Sequence, residues 1–256
     1  FIEEIFPQQD IIEGQSRIQN TFDLSFFPKE KGPYNNNLNQ DFLQNSKINW
    51  AGITRDLSST NFEKANVEFI QFWLLDTFSE NDSSSNNLGN LYLNLGNISE
   101  DILKDGKKLY ENGLPTVNSQ EIVNESNWGK TPATQSLIYS FDSDENNRVL
   151  QDLGYDGLDD VQEIDKYDNG SSNDPAGDNY QYYIDANGGI LNRYKNYNGT
   201  QGNSPVNVGN SGRGSTTVPD NEDVNQDNTM NTIDSYFEYN VPITKNMRVG
   251  NHPFIS

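Results

Sequence analysis

The apolar positions of this chain fall into short runs with a two-residue period, and the strongest of them lie in the first hundred residues. In NVEFIQFWLLD, residues 66–76, Val67 and Phe69 alternate with polar neighbours before the run becomes continuously apolar through Trp73. Alternation marks a half-buried strand and a continuous run one covered on both faces. A buried strand with Trp73 in the core is therefore expected. NLYLNLG, residues 90–96, sets Leu91, Leu93 and Leu95 on one face and Tyr92 and Asn94 on the other. It is a second strand, expected to share a sheet with the first. The SENDSSSNNLG stretch between them is built of turn formers and reads as an exposed hairpin end.

Helical signals are weaker. In SEDILKDGKKLY, residues 99–110, Ser99 is placed to cap a short helix, with Glu100 and Asp101 in its first turn and Lys107 and Lys108 near its end. Gly106 lowers its propensity. A second helix is expected in SQEIVNESNW, residues 119–128. Beyond residue 140 the chain turns to Asp, Asn, Gly and Tyr, so order there depends on ions, side-chain hydrogen bonds or a neighbouring surface. The pattern predicts a mainly β fold with short helices. A β-sandwich-like region is expected over 1–135, and an acidic, Asp/Asn-rich loop region packed on it over 136–256.

Charge narrows the function. The 256 residues carry 38 Asp and Glu against 17 Lys and Arg, a net charge of −21, while 32% apolar residues with 13 Phe and 13 Tyr suffice for a core. Carboxylates in this excess repel nucleic acid and anionic membrane surfaces and attract cations. Residues 136–240 hold 19 acids and 5 bases, so 14 of the 21 excess negative charges sit there. With no cysteine, disulfides, thiol nucleophiles and thiolate metal sites are all excluded. No apolar run is long enough for a membrane-spanning helix. Beginning at FIEEIF without an initiator Met or signal peptide, the chain reads as a piece of something longer.

Catalytic constellations fail in turn. His252 is the single imidazole, and no GxSxG, HExxH or phosphate-cradling glycine loop is present, so no enzyme activity is expected. Trp50, Trp128 and the tyrosines 180, 182, 183, 194 and 197 offer rings for sugar stacking or for packing against another surface.

Two windows carry metal chemistry. Calcium takes six to eight hard oxygens, and a twelve-residue loop presents them from alternate side chains, a seventh-place carbonyl and a closing carboxylate. DVNQDNTMNTID, residues 223–234, offers Asp223, Asn225, Asp227, the Thr229 carbonyl, Asn231 and Asp234, with Asn228 in place of the usual sixth-place Gly. DLGYDGLDDVQE, residues 152–163, offers Asp152, Asp156, the Leu158 carbonyl, Asp160 and Glu163, with Gly157 at the sixth place. Its third place is Gly154, which gives no ligand, and Asp142 or Asp144 is a candidate substitute. Calcium is the expected cofactor.

Several long segments resemble the SprA/Sov family: FDLSFFPKEKGPYN (22–35), WAGITRDLSSTNFEKANVEFIQFWLLD (50–76), GNLYLNLGNISEDILKDGKKLYENGLP (89–115), DLGYDGLDD (152–160), DPAGDNYQYY (174–183), RYKNYNGTQGNSP (193–205) and NEDVNQDNTMNTIDSYFEY (221–239). That family forms the outer-membrane translocon of the type IX secretion system and is tied to gliding motility. The resemblance implies a soluble insertion in a very large protein-conducting barrel. Its expected place is the extracellular cap over the pore, with a periplasmic insert as the competing placement. Expected partners are the rest of the barrel, its associated subunits and secreted cargo, and the resemblance identifies no catalytic residue. The rival reading is a calcium-stabilised carbohydrate-binding β-sandwich.

Overall fold

The computed structural model describes the chain apart from residues 6–7, 9, 19, 21, 23, 35–47, 58–60, 62–63, 65, 71, 73, 76–86, 115–122, 135–139, 168–172, 207–218, 220, 248–253 and 256. Two units are drawn from interleaved segments: the first from 1–24, 57–97 and 235–256, the second from 25–56 and 98–234. A boundary at residue 135 lies inside the second unit. In chain order the elements are α1 (Ile2–Ile5), β1 (Leu74–Leu75), β2 (Asn87–Asn97), β3 (Val123–Glu125), β4 (Lys130–Pro132), α2 (Glu145–Val149), α3 (Asp160–Tyr167), α4 (Ile190–Tyr194), β5 (Ser235–Thr244) and β6 (Phe254–Ile255), with a 3-10 turn at Lys245–Met247. The protein is mainly small sheets with few short helices. Among the described residues every sheet has two strands, and no barrel is present.

In the first unit β2 pairs antiparallel with β5, not with the 66–76 segment. The register sets Leu91 opposite Val241, Leu93 opposite Tyr239 and Leu95 opposite Phe237, so the leucine face meets a row of apolar partners. The alternation expected of 91–95 is present, with the leucines half-buried and Tyr92 and Asn94 exposed. The expected buried strand over 66–76 is reduced to β1, which pairs with β6. Phe69 is 80% exposed, and Val67, Ile70 and Phe72 are exposed with it. An apolar run is covered on both faces only when elements flank it, and β1 has one partner strand. Trp73, His252 and residues 79–86 of the expected hairpin end lie outside the described residues, while its last three, Asn87–Gly89, begin β2.

Both helices expected in the second unit are replaced. Residues 99–110 form a loop, because Asp101 takes the Asp105 and Gly106 N–H groups on its carboxylate and Ser99 Oγ accepts from Asp101 N. Short polar side chains that bond the nearby backbone compete with a helix in this way. In the second case Val123–Glu125 is a strand, turned back onto β4 through Ser126, whose hydroxyl accepts from the Trp128 and Gly129 N–H groups. Residues 119–122 lie outside the described residues.

The apolar core of the second unit is small: Tyr110, Leu114, Phe141, Tyr155, Leu158, Ala176, Ala186 and Met230. Around it, among the described residues, nine carboxylate side chains are buried against one buried cationic side chain, Arg148. The tyrosines pack on one another, with Tyr183 stacked on Tyr194 at 5.0 Å and Tyr182 edge-on to Tyr183 at 4.6 Å, tying α4 to the loop before it.

Candidate metal centre

Asp156, Asp160 and Glu163 are positioned by a turn that runs into α3. Gly157, at φ +60°, makes the turn, Asp156 Oδ1 accepts the Leu158 N–H, and Asp156 Oδ2 accepts the Tyr167 hydroxyl at 2.9 Å. The hairpin β3–β4 seats the turn from outside, through Lys130 N donating to the Asp156 carbonyl. From a loop that sequence reasoning did not count as ligand-bearing come Asp174 and Asp178. The Asp174 carboxylate accepts the N–H groups of Gly177, Asp178 and Asn179, which curls DPAGDN and aims Asp178 inward. Oxygens of Asp156, Glu163 and Asp178 lie within 4.8 Å of one another, as do those of Asp160, Glu163 and Asp174. Glu163 belongs to both groups.

Its surroundings make this centre electrostatically unusual. Glu163 is 0% exposed; Oε2 accepts the Ala176 N–H at 2.7 Å and Oε1 has no hydrogen-bond partner. Asp178 is 3% exposed, Oδ2 takes the Thr200 hydroxyl at 3.4 Å, and Oδ1 likewise lacks a partner. Burial pushes the Asp178 carboxyl up to about 9, with the charges of Asp156, Glu163 and Asp174 adding to the effect. Burial also raises Glu163 to about 8, opposed by the Ala176 N–H and reinforced by the charges of Asp156, Asp174 and Asp160. Asp156 rises to about 6 through burial, restrained by the Leu158 N–H and the Tyr167 hydroxyl. Lys166 and Lys31 both act on Asp156, and Lys31 also faces Glu163, Asp178 and Asp174. The Lys31 ammonium stands 3.3 Å from the Tyr167 ring centre, and burial lowers its pKa against the pull of Glu163, Asp156, Asp178 and Asp174.

Two ammonium groups, Lys31 and Lys166, beside five carboxylates leave the site short of positive charge. Buried carboxylates without a countercharge must hold protons or gather a cation. Two fully buried oxygens without partners, surrounded only by oxygen donors, fit a hard divalent ion and not a thiophilic one.

The first place of the predicted loop falls elsewhere. Asp152 Oδ2 accepts the Ser204 N–H at 2.7 Å and feels Arg148, and burial raises it to about 6. Asp142 and Asp144 do not fill the third place. They serve α2, where Asp144 caps the helix by accepting the Asn146 N–H and Asp142 accepts from the Asn147 side chain. The carboxylate beside Gly154 is that of Asp178, since a Cβ at Gly154 would run into it. Leu158 contributes a buried side chain and its N–H. An Asp followed by Gly three residues later, as in Asp174–Gly177, was the signal that could have found the second loop.

The 223–234 window folds as a loop of its own. Asp223 is buried and accepts the N–H groups of Asp227 and Asn228, while Asp227 accepts the N–H and hydroxyl of Thr229. Gln226 and Asn228 take φ of +58° and +62°, so Asn228 does supply the left-handed turn a Gly would give. Asn225 bonds Asp227 on both sides of its amide. Asn231 and Asp234 turn away: Asn231 donates to Glu100 Oε2, and Asp234 Oδ1 accepts the Ser99 N–H. Glu100, absent from the sequence reading of this loop, closes it from outside by accepting the Val224 N–H as well.

Residues 157–256 match the SprA_N family, described as a motility related/secretion protein. These residues are an SprA-family segment. No curated protein matches the chain. The SprA-family segment holds Asp160, Glu163, Asp174, Asp178 and the whole 223–234 loop, so most of the candidate ligands fall within it. Among the described residues no helix is long and apolar enough to cross a membrane.

Proposed function

We propose that this chain is a non-catalytic segment of an outer-membrane protein translocon of the type IX secretion system, held in shape by calcium and forming part of an extracellular cap over the pore. What carries the reading is that the match to a motility and secretion family runs through the buried oxygen cluster at Glu163 and Asp178. Among the described residues, nine buried carboxylates against one buried cation support a fold of the second unit that is stabilised by added positive charge. Calcium at an affinity of about 10⁻⁴–10⁻³ M suits an extracellular module, where the ion is abundant. The segment shields the channel mouth and contacts the barrel, its associated subunits and passing cargo. Its acidity discourages adhesion to the anionic cell surface.

Protease added to intact cells making the full-length protein tests the placement. Cleavage within this segment, sharpened by chelating calcium, is the expected result, with an affinity tag in the segment retrieving a β-barrel. Complete protection until the outer membrane is opened would overturn the cap and favour a periplasmic insert. A carbohydrate-binding reading draws on Trp50, which is 80% exposed. Sugar binding on a glycan array, lost in Trp50→Ala, would establish it.

A further inference from the structure

Outside the centre described above, the second unit contains a repeated device. Glu100-Asp101-Ile102-Leu103-Lys104-Asp105-Gly106-Lys107 and Glu222-Asp223-Val224-Asn225-Gln226-Asp227-Asn228-Thr229 align residue for residue and share their main turn contacts. In each, the first Asp accepts the N–H groups four and five residues on: Asp101 from Asp105 at 3.2 Å and Gly106 at 2.8 Å, Asp223 from Asp227 at 2.9 Å and Asn228 at 3.0 Å. The second Asp accepts the N–H two residues on, Lys107 in one loop and Thr229 in the other. Left-handed residues fall at matching places, Lys104 with Gln226 at φ +58° and Gly106 at +75° with Asn228 at +62°.

The leading glutamates are exchanged between the loops. Glu100 accepts Val224 N and Asn231 N of the second loop, while Glu222 accepts Glu111 N at 2.6 Å and Asn112 N at 3.2 Å beside the first. The first loop differs in one respect that points to a ligand. Leu103 stands where Asn225 stands in the second and offers no oxygen, yet Glu111 brings one in. An oxygen of Glu111 lies within 4.8 Å of oxygens of Asp101 and Asp105. Glu111 is only 3% exposed; its carboxyl shares a hydrogen bond with that of Glu222, and its Oε2 has no hydrogen-bond partner. A buried carboxylate oxygen left bare beside two further carboxylates is a costly arrangement unless a cation completes it.

We infer that Asp101, Asp105 and Glu111 form a separate divalent-cation site, of calcium type, paired with the 223–234 loop through the exchanged Glu100 and Glu222. All its donors are hard oxygens. Lys107, whose ammonium lies 2.9 Å from Asp105 Oδ2 and whose side chain is exposed, occupies part of the site's outer face and swings away when the ion enters. The inference stands apart from the Asp156–Glu163–Asp178 centre, with which it shares no ligand.

Calcium binding to the full chain, counted by equilibrium dialysis and titrated calorimetrically, tests it. Glu111→Gln is expected to bind one ion fewer per chain than the unsubstituted protein with an unchanged circular-dichroism spectrum, and Lys107→Gln to tighten that ion roughly tenfold by removing a competing charge. If Glu111→Gln fails to fold, Asp105→Asn, at an exposed position, reads the same loss. Glu163→Gln removes a different ion and leaves this one, so failure of one site is distinguishable from failure of the other. An unchanged stoichiometry in folded Glu111→Gln or Asp105→Asn, or an unchanged affinity in Lys107→Gln, would overturn the inference.

Discussion

A carboxylate sunk among other carboxylates keeps a proton or takes a cation, and Asp178 and Glu163 distinguish the two by their pH response. Their native pKa values, about 9 and about 8, stand above the values of about 3.9 and 4.3 for unfolded chains. Between these limits the native state binds more protons than the unfolded one, so stability falls as pH rises. In chelator, the contribution of these groups is complete below about pH 4 and is lost as pH climbs to about 9. Saturating calcium replaces the protons and flattens that slope, which urea unfolding across the pH range checks. Asp178→Asn keeps the shape and removes the charge. It is expected to raise the stability of chelated protein at pH 8, because a neutral amide removes the cost of keeping this carboxyl protonated there, and to abolish much of the calcium increment. A calcium increment as large as that of the unsubstituted protein would show that Asp178 is no ligand. These two residues also mark the limit of sequence reading. Glu163 was legible from its twelfth place in a loop, whereas Asp178 reaches the site across a separate turn and has no fixed spacing to it.

At the scale of elements, short polar side chains decide which segments become helix. Asp144 is a true N-cap, and Asp144→Ala is expected to cost about 1 kcal/mol through the freed Asn146 N–H, read as a shift in the urea midpoint. Asp101 sits in an equally helix-like stretch but binds backbone ahead of it and bends the chain into a loop. Composition does not separate these cases, since each has an Asp before a run of helix formers. The β3–β4 hairpin positions the carboxylate cluster through a close approach at Gly129, where a Cβ would strike the Asp156 carbonyl. Gly129→Ala is therefore expected to weaken calcium binding and stability together, by about 1–3 kcal/mol in stability. Loss of stability with calcium affinity intact would separate the hairpin from the site.

For the whole molecule, the proposed cation dependence belongs to one unit. The second holds the buried carboxylates and the paired loops, while the first is organised by the β2–β5 ladder. Limited proteolysis should show cuts within 98–234 suppressed by calcium and cuts within 57–97 indifferent to it. At a free concentration one hundred times the dissociation constant, one site adds about 2.7 kcal/mol. Equal protection of both units would refute a localised role for the ion.

From the sequence alone came the acidity, the alternation of Leu91, Leu93 and Leu95, the two loop windows and the SprA resemblance. Those features depend on neighbours in the chain or on composition, which a linear reading contains. Tertiary structure alone decided that β2 takes β5 as its partner, that Asp174 and Asp178 join Asp156 and Glu163, and that Asp152 turns instead to Ser204. It also brought Glu100 and Glu222 across to each other's loops. The reason is physical: a carboxylate's role is set by the charges and N–H groups within a few ångströms of it, and here many of them come from residues tens of positions away.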